Sequence, residues 1–274
     1  MMMPEPTAPS AGALREHVAF LEEKVFQVHT KWPHYRRLLA DLKELADTLP
    51  IGSRVAILER AFIFGSRSLF APLFPRLDAV SIDIRLEGLE EERMGYQTHW
   101  LEDPRCAATP VVQSAFMSAL PFEDASLDAV MVPNVVHHIR DQDAMFSEIA
   151  RVLKPGGRGF IFETLLRELH QAPHDFVRWT PWGFEDRLGA AGLTLTEWRP
   201  SGGPFEAIAY CWFQAVQYLP EPLRTERTEW LEREHFPELM ALNESFPDNR
   251  ARAHTSFPIA YGIHFERPGS ADPA

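Results

Sequence analysis

The run from Leu120 to Gly157, LPFEDASLDAVMVPNVVHHIRDQDAMFSEIARVLKPGG, constrains the fold of this chain more than any other segment. Asp128 to Val132 is a short apolar stretch bounded by turn residues, the pattern of a strand covered on both faces. His137, His138 and Asp141 follow at its carboxyl end, the edge where open α/β sheets place their ligand crevice. Met145, Ile149, Val152 and Leu153 then recur at helical spacing, with Lys154 at the end where a cation favours the helix dipole. Pro155, Gly156 and Gly157 are expected to stop that helix and turn the chain into a further strand, Gly159 to Glu163. The unit predicted is strand, helix, strand in a parallel sheet.

The flanking sequence extends the same pattern. Residues 13 to 48 read as helical, with Tyr35, Leu38, Leu39, Leu42 and Leu45 on one apolar stripe, after a disordered lead-in over residues 1 to 12. Strands are expected at Arg54 to Leu58, Asp78 to Ile84, Val111 to Ala115 and Leu193 to Trp198, with a helix around Ser66 to Phe74. Thr180 as N-cap and Pro181 at the first helical position open another helix, which ends near Gly192. From Phe205 to Asn249 the chain reads as two helices separated by Pro220 and Pro222, and His254 to Glu266 as a last strand before a tail from residue 269. The division expected is N-terminal helices over 13–48, a core over 49–203 and 254–268, and a helical insert over 204–253.

Three phrases of the central run, Leu120 to Val130, Asn134 to His138 and Glu148 to Gly157, stand in an order that resembles class I methyltransferases dependent on S-adenosylmethionine (SAM), of the type 11-like kind. The resemblance implies an α/β fold: a Rossmann-like, mostly parallel seven-stranded sheet with an antiparallel last strand, plus N-terminal helices and a helical insert. It also implies SAM as cofactor. The family's first strand ends in an acid followed by a glycine at every second place, and here the line is ILERAFIFG. Glu59 matches the acid and Gly65 the last glycine, whereas Ala61 and Ile63 stand where glycines are expected. A β-branched Ile63 resists positive φ, and its side chain competes with the cofactor's methionine tail. Either the loop takes another path, with Arg60 or Arg67 binding the carboxylate, or the pocket is plugged.

Asp83, after the second strand, matches the acid that accepts the ribose hydroxyls. Phe116 falls where the family has an aspartate for the adenine amine, with Gln113 and Ser114 as nearby polar substitutes. Asn134 completes the cofactor-side set. For catalysis the candidates are His137 and His138 beyond the fourth strand, and His174, Asp175 and Arg178 in HQAPHDFVRWTPWG, which follows the fifth. That loop resembles one of a methyltransferase subgroup modifying glycans or small metabolites. Beside these roles stand plainer ones: an Asp175 to Arg178 clamp, and Trp179 and Trp182 buried in the core.

Net charge of −12 argues against a nucleic-acid partner, which requires a lysine and arginine footprint. Cys106 and Cys211 supply neither a disulfide framework nor zinc spacing, and adjacent histidines point different ways on most backbones, so no metal is assigned. Neither a secretory signal nor an apolar run of bilayer length is present, which makes a cytoplasmic location the expectation. Residues 204 to 253 are expected to cover the crevice or to meet a second copy or a partner chain. Two functions stay open: SAM-dependent methyl transfer to a small-molecule or sugar-like acceptor with altered cofactor contacts, or a non-catalytic protein of the same fold that has lost SAM.

Overall fold

The computed structural model describes residues 11–28, 32–61, 67–89, 103–107, 112–246 and 255–269. The expected lead-in over residues 1–10 lies outside them, as do Ile63, Gly65, Arg250 and Arg252. Helix α1 (Ala11–Phe20) runs into a π turn over Leu21–Val25, and α2 (Tyr35–Thr48) follows. The helical reading of 13–48 is therefore split, and helix also takes in Ala11 and Gly12 from the expected lead-in.

The strands are β1 (Arg54–Glu59), β2 (Asp78–Arg85), β3 (Gln113–Phe116), β4 (Leu127–Pro133), β5 (Leu153–Thr164), β6 (Thr194–Ser201) and β7 (Ala260–Glu266). They form one sheet in the order β3-β2-β1-β4-β5-β7-β6. Pairings from β3 through β5 are parallel, and β7 runs antiparallel to both β5 and β6. This is the mixed sheet expected from the sequence.

Five readings of local structure are corrected. Between β1 and β2 the described residues hold only a 3-10 turn, Ala71–Leu73, in place of the helix expected over Ser66 to Phe74. Leu69, Phe70 and Phe74, which flank this turn, join the core, so burial there is achieved without a regular helix. Pro155 to Gly157 do not lie between a helix and a strand. Helix α4 (Gln142–Val152) already ends at Val152, and β5 carries the Pro-Gly-Gly as an irregularity between the Leu127 and Ala129 pairings, with Gly156 at φ +77. β3 is displaced to Gln113–Phe116, and β7 begins only at Ala260. In the insert, helices α6 (Pro204–Val216), α7 (Leu223–Trp230) and α8 (Phe236–Asn243) replace two, a π turn over Leu231–His235 joining the last pair; a single helical turn, α3 (Pro104–Ala107), stands earlier in the chain.

Two apolar layers hold the sheet. On one face Leu38, Leu42 and Leu45 of α2 pack with Val55, Ile57, Met131, Phe160 and Phe162. On the other, Met145, Phe146 and Ile149 of α4 and Phe184 and Leu188 of α5 (Pro181–Ala190) cover Leu58, Ile82, Val130, Val132 and Ile161. Alternate strand residues feed opposite layers, as the two-residue period requires. Asp141 caps α4 by accepting from Ala144 N at 3.0 Å, and Thr180 caps α5 by accepting from Gly183 N at 3.3 Å.

Helix α2 also carries a buried charge to the far edge of the sheet. The Asp41 side chain is shut from solvent and accepts from Arg199 Nη1 at 2.9 Å, while Arg199 also binds Glu44 and Glu197. Removing the guanidinium leaves Asp41 buried beside only Arg37, whose Nε lies 3.7 Å away. We expect Arg199→Ala to cost about 2 kcal/mol in urea unfolding, because a buried charge has lost its main partner. Glu44→Ala, at the exposed end of the same cluster, should cost well under about 1 kcal/mol. Equal losses would show that the cluster acts as a surface network.

Candidate functional site

The chain leaves β1 toward β2 and β3 on one side and reaches β4 and β5 on the other. The sheet order therefore reverses between β1 and β4, and ligands of such sheets bind beyond the strands' carboxyl ends at that reversal. A cleft of about 230 Å³ opens there. Its walls come from the residues after β2 (Arg85 to Glu87), after β3 (Phe116 to Ser118) and after β4 (His138 to Asp141), with His174 and Phe176 from the loop after β5. Phe116, the last residue of β3, is 44% exposed and lines the cleft. Met117 and Ile139 beside it are buried, giving an apolar lining beneath an accessible aromatic face.

The residues of β1 and β2 are arranged differently. Glu59 is buried, and its carboxylate accepts from Ser68 Oγ at 2.5 Å, Leu69 N at 3.1 Å and Ser81 Oγ. Burial pushes its carboxyl up to about 7 against the pull of those donors. Both oxygens are thus engaged within the protein. Arg60 is also buried, its Nη1 donating to Ile84 O at 2.9 Å, and Ala61 is fully enclosed. Asp83 ends beside Glu59 and Ser114 in register and is closed to solvent, with Ser114 Oγ donating to it at 3.4 Å. It stands two residues before the cleft wall.

A raised carboxyl has a definite sign in the pH dependence of stability. The folded state keeps the Glu59 proton to about pH 7, while the unfolded chain loses it near the ordinary glutamate value, about 4.3. The folded state binds more protons between those limits, so stability falls as pH rises through them. Glu59→Gln removes this dependence. Chemical denaturation at pH 5 and pH 8 should show a smaller decline in the variant, by on the order of 2 kcal/mol. An unchanged decline would mean Glu59 is ionised in the fold.

At the ends of β4 and β5 the side chains form a connected network. Asn134 sits at φ +60, which asparagine tolerates, and donates through Nδ2 to Tyr35 Oη at 2.8 Å. Its Oδ1 accepts from Thr164 Oγ1 at 2.6 Å, so Asn134 ties α2, β4 and β5 together. A 3-10 turn over Val136–His138 then brings the rings of His137 and His138 to 3.9 Å between centroids. The adjacent histidines converge, against the sequence expectation, because this tight turn carries both rings inward. Glu163 accepts from His137 N at 3.3 Å and from Thr164 N at 3.0 Å, and its Oε1 is paired with His137 Nδ1. Burial disfavours the charged form of both partners, holding His137 well below the ordinary imidazole range and raising Glu163 to about 7.

The loop after β5 closes over this turn. His138 Nδ1 lies 2.5 Å from His174 O, Phe176 N donates to His137 O at 2.8 Å, and His174 Nε2 lies 2.9 Å from Glu87 O. Burial also drives His138 far down, so its imidazole is neutral. Asp175 accepts from His170 N at 3.0 Å and from both terminal nitrogens of Arg178. Burial opposes the effect, yet these donors hold the Asp175 carboxyl down to about 2. Asp175 and Arg178 therefore form the clamp, and His138 and His174 are the catalytic candidates that line the cleft. Trp179 packs against the core and donates to Gln142 Oε1 at 3.2 Å, whereas Trp182 is 67% exposed and not in the core.

His170 and the bonding role of Glu163 are what sequence reasoning passed over. His170 opens the loop quoted above, but nothing in its spacing from His137 signals that the rings meet at 5.1 Å. Among the described residues none from the insert lines the cleft: Tyr210 of α6 packs on Ile259 with Trp32, and Arg36 of α2 binds Glu206 at 3.1 Å.

Residues 65–161 match the family described as "Methyltransferase domain". Sterol 24-C-methyltransferase ERG6B of Gibberella zeae is 41% identical over 59 residues, 22% of this chain and 15% of that protein. An anamorsin homolog of Ricinus communis is 39% identical over 62 residues, 22% of each chain. The chain thus spans less than a quarter of the length of either relative. Phosphoethanolamine N-methyltransferase 2 of Haemonchus contortus, solved in complex with S-adenosyl-L-methionine, aligns at TM-score 0.47 and 16% identity over 85% of this chain and 53% of that one. Residues 65–161 carry the signature of a methyltransferase domain, and they lie within a mixed seven-stranded sheet of order β3-β2-β1-β4-β5-β7-β6.

Proposed function

We propose that the chain binds SAM in the cleft beyond β2, β3 and β4 and transfers its methyl group to a small-molecule or sugar-like acceptor, with cofactor contacts altered from the family pattern. The observation that carries this reading is the exposed face of Phe116 over an apolar lining, at the reversal of the sheet and within the matched segment. An aromatic face of this kind fits a stacked purine. On this reading Phe116 faces the base, and Asp83, closed to solvent two residues behind the cleft wall, has to be uncovered before it can accept from the ribose hydroxyls. At about 230 Å³ the cleft is smaller than common ligand pockets of about 300–1,000 Å³, which agrees with partial enclosure of the cofactor.

SAM supplies an electrophilic methyl on a sulfonium, so the protein's work is mainly to orient the acceptor in line. His138 and His174 are placed to position that acceptor, and a strongly depressed imidazole makes His138 a weak base. Acceptors that need no proton removed, or lose one easily, suit such a site. Clamped by Asp175 and Arg178, the loop after β5 shields the cleft from the side.

A second reading, a binding protein of methyltransferase fold without turnover, is favoured by one observation. Glu59 has both oxygens bound internally, and among the described residues no helix follows β1 to present its N-terminus to a ligand. Calorimetric titration with SAM and S-adenosylhomocysteine separates the two.

A further inference from the structure

The histidine cluster behind the cleft has a geometry that neither methyl transfer nor packing accounts for. One ring nitrogen from each of His137, His138 and His170 lies within 4.8 Å of the others. The three residues come from two segments, the turn after β4 and the loop after β5. In each ring Nδ1 faces an oxygen: Glu163 Oε1 for His137, His174 O at 2.5 Å for His138, and Glu168 O at 3.2 Å with Asp175 Oδ2 at 3.3 Å for His170. A hydrogen bond from Nδ1 to an oxygen fixes the tautomer that leaves the lone pair on Nε2. His137 Nε2 and His170 Nε2 then face each other at 3.3 Å as two acceptors with no proton between them. A cation resolves that conflict. Around a tetrahedral zinc-class ion with bonds of about 2.0–2.1 Å, neighbouring nitrogens stand about 3.3–3.4 Å apart, which is the His137–His170 separation, while the pairs with His138 lie within 4.8 Å.

We propose that His137, His138 and His170 bind a divalent transition-metal ion of the zinc class, leaving one coordination position open. The donor set is all imidazole, which suits zinc, cobalt, nickel or copper and not magnesium or calcium. Glu163 supplies the counter-charge and holds the His137 ring, while Arg178 is occupied by Asp175 and Arg167 lies 3.6 Å from Glu168. The site does not require SAM, although it shares His138 with the cleft lining. Its competitor is a proton: if Glu163 is protonated and donates to His137 Nδ1, the His137 proton moves to Nε2 and bridges to His170 without an ion.

The test is titration of the full chain, without a histidine tag and stripped by chelator, with Co²⁺ alone. We expect one equivalent bound, with the visible absorption of four-coordinate cobalt, displaced by Zn²⁺. His170→Ala should weaken uptake by more than ~100-fold, and Glu163→Gln, which only positions His137, by ~10–100-fold. His235→Ala, on the insert, should leave it unchanged. If His170→Ala loses its circular dichroism, His170→Gln keeps the volume and is held to the same criterion. Failure of the wild-type chain to take up one equivalent, or equal uptake by the folded His170 variant, overturns the site and leaves the proton bridge.

Discussion

Glu163→Ala should be the most destabilising single change at the carboxyl edge of the sheet, costing about 3–5 kcal/mol in equilibrium urea unfolding. The carboxylate accepts from His137 N, Thr164 N and the His137 ring, all within a buried network. Alanine removes the acceptor and leaves those donors without a partner or water, at about 1–3 kcal/mol for each unsatisfied group. The loss does not stop at β5. His137 is the middle residue of the turn and accepts from Phe176 N, so the loop over the cleft loosens with it. Glu163→Gln keeps an acceptor oxygen and nearly the same volume, and should cost about 1 kcal/mol. If alanine and glutamine variants unfold at the same urea concentration, the hydrogen-bond account of this edge is wrong.

The second large effect concerns the cofactor. Asp83→Asn should weaken SAM and S-adenosylhomocysteine binding by ~10–100-fold, since a hydrogen bond to a charged group contributes about 1.5–3 kcal/mol. Asparagine conserves the volume at a position closed to solvent, with Ser114 Oγ still within 3.4 Å of the side-chain site in the parent fold. Circular dichroism and a thermal melt establish that the variant is folded, so a lost titration is a lost contact. Unchanged affinity in a folded Asp83→Asn would place the ribose elsewhere and leave Asp83 as a strand-end acid tied to its neighbours.

The sheet was legible because its signals are local and agree with one another. Asp128 to Val132 and the stripe through Met145 and Ile149 each point to the same strand and helix, and burial follows that pattern. The errors arose where tertiary packing overrides local preference. Ser66 to Phe74 has apolar residues enough for a helix, yet Phe70 and Phe74 reach the core from either side of a 3-10 turn. Pro155 and the following glycines look like a stop signal, but the sheet absorbs them as an irregularity in β5.

At the candidate site the limits are of another kind. Phe116, His138 and His174, named from the resemblance and from their loops, come together on one cleft, whereas Asp83, named in the same way, is closed to solvent behind it. Their surroundings could not be read from the sequence. That Glu59 is consumed by Ser68, Ser81 and Leu69, or that Asn134 bridges Tyr35 and Thr164, depends on residues up to 99 positions apart in the chain. The meeting of His137 with His170 is of the same type, 33 positions apart and joined only by closure of the loop after β5. No helix among the described residues is long and apolar enough to cross a membrane.

On the proposed reading the chain keeps a working cofactor cleft although Glu59 is turned inward and the glycines of the family pattern after β1 are replaced. Isothermal calorimetry of the full chain with S-adenosylhomocysteine, run to millimolar ligand, tests it most directly. The expected result is a saturable isotherm with one equivalent bound, shifted to weaker affinity in Phe116→Ala and more so in Asp83→Asn. No binding heat at millimolar ligand, with none for SAM either, would contradict it and leave a binding protein of methyltransferase fold.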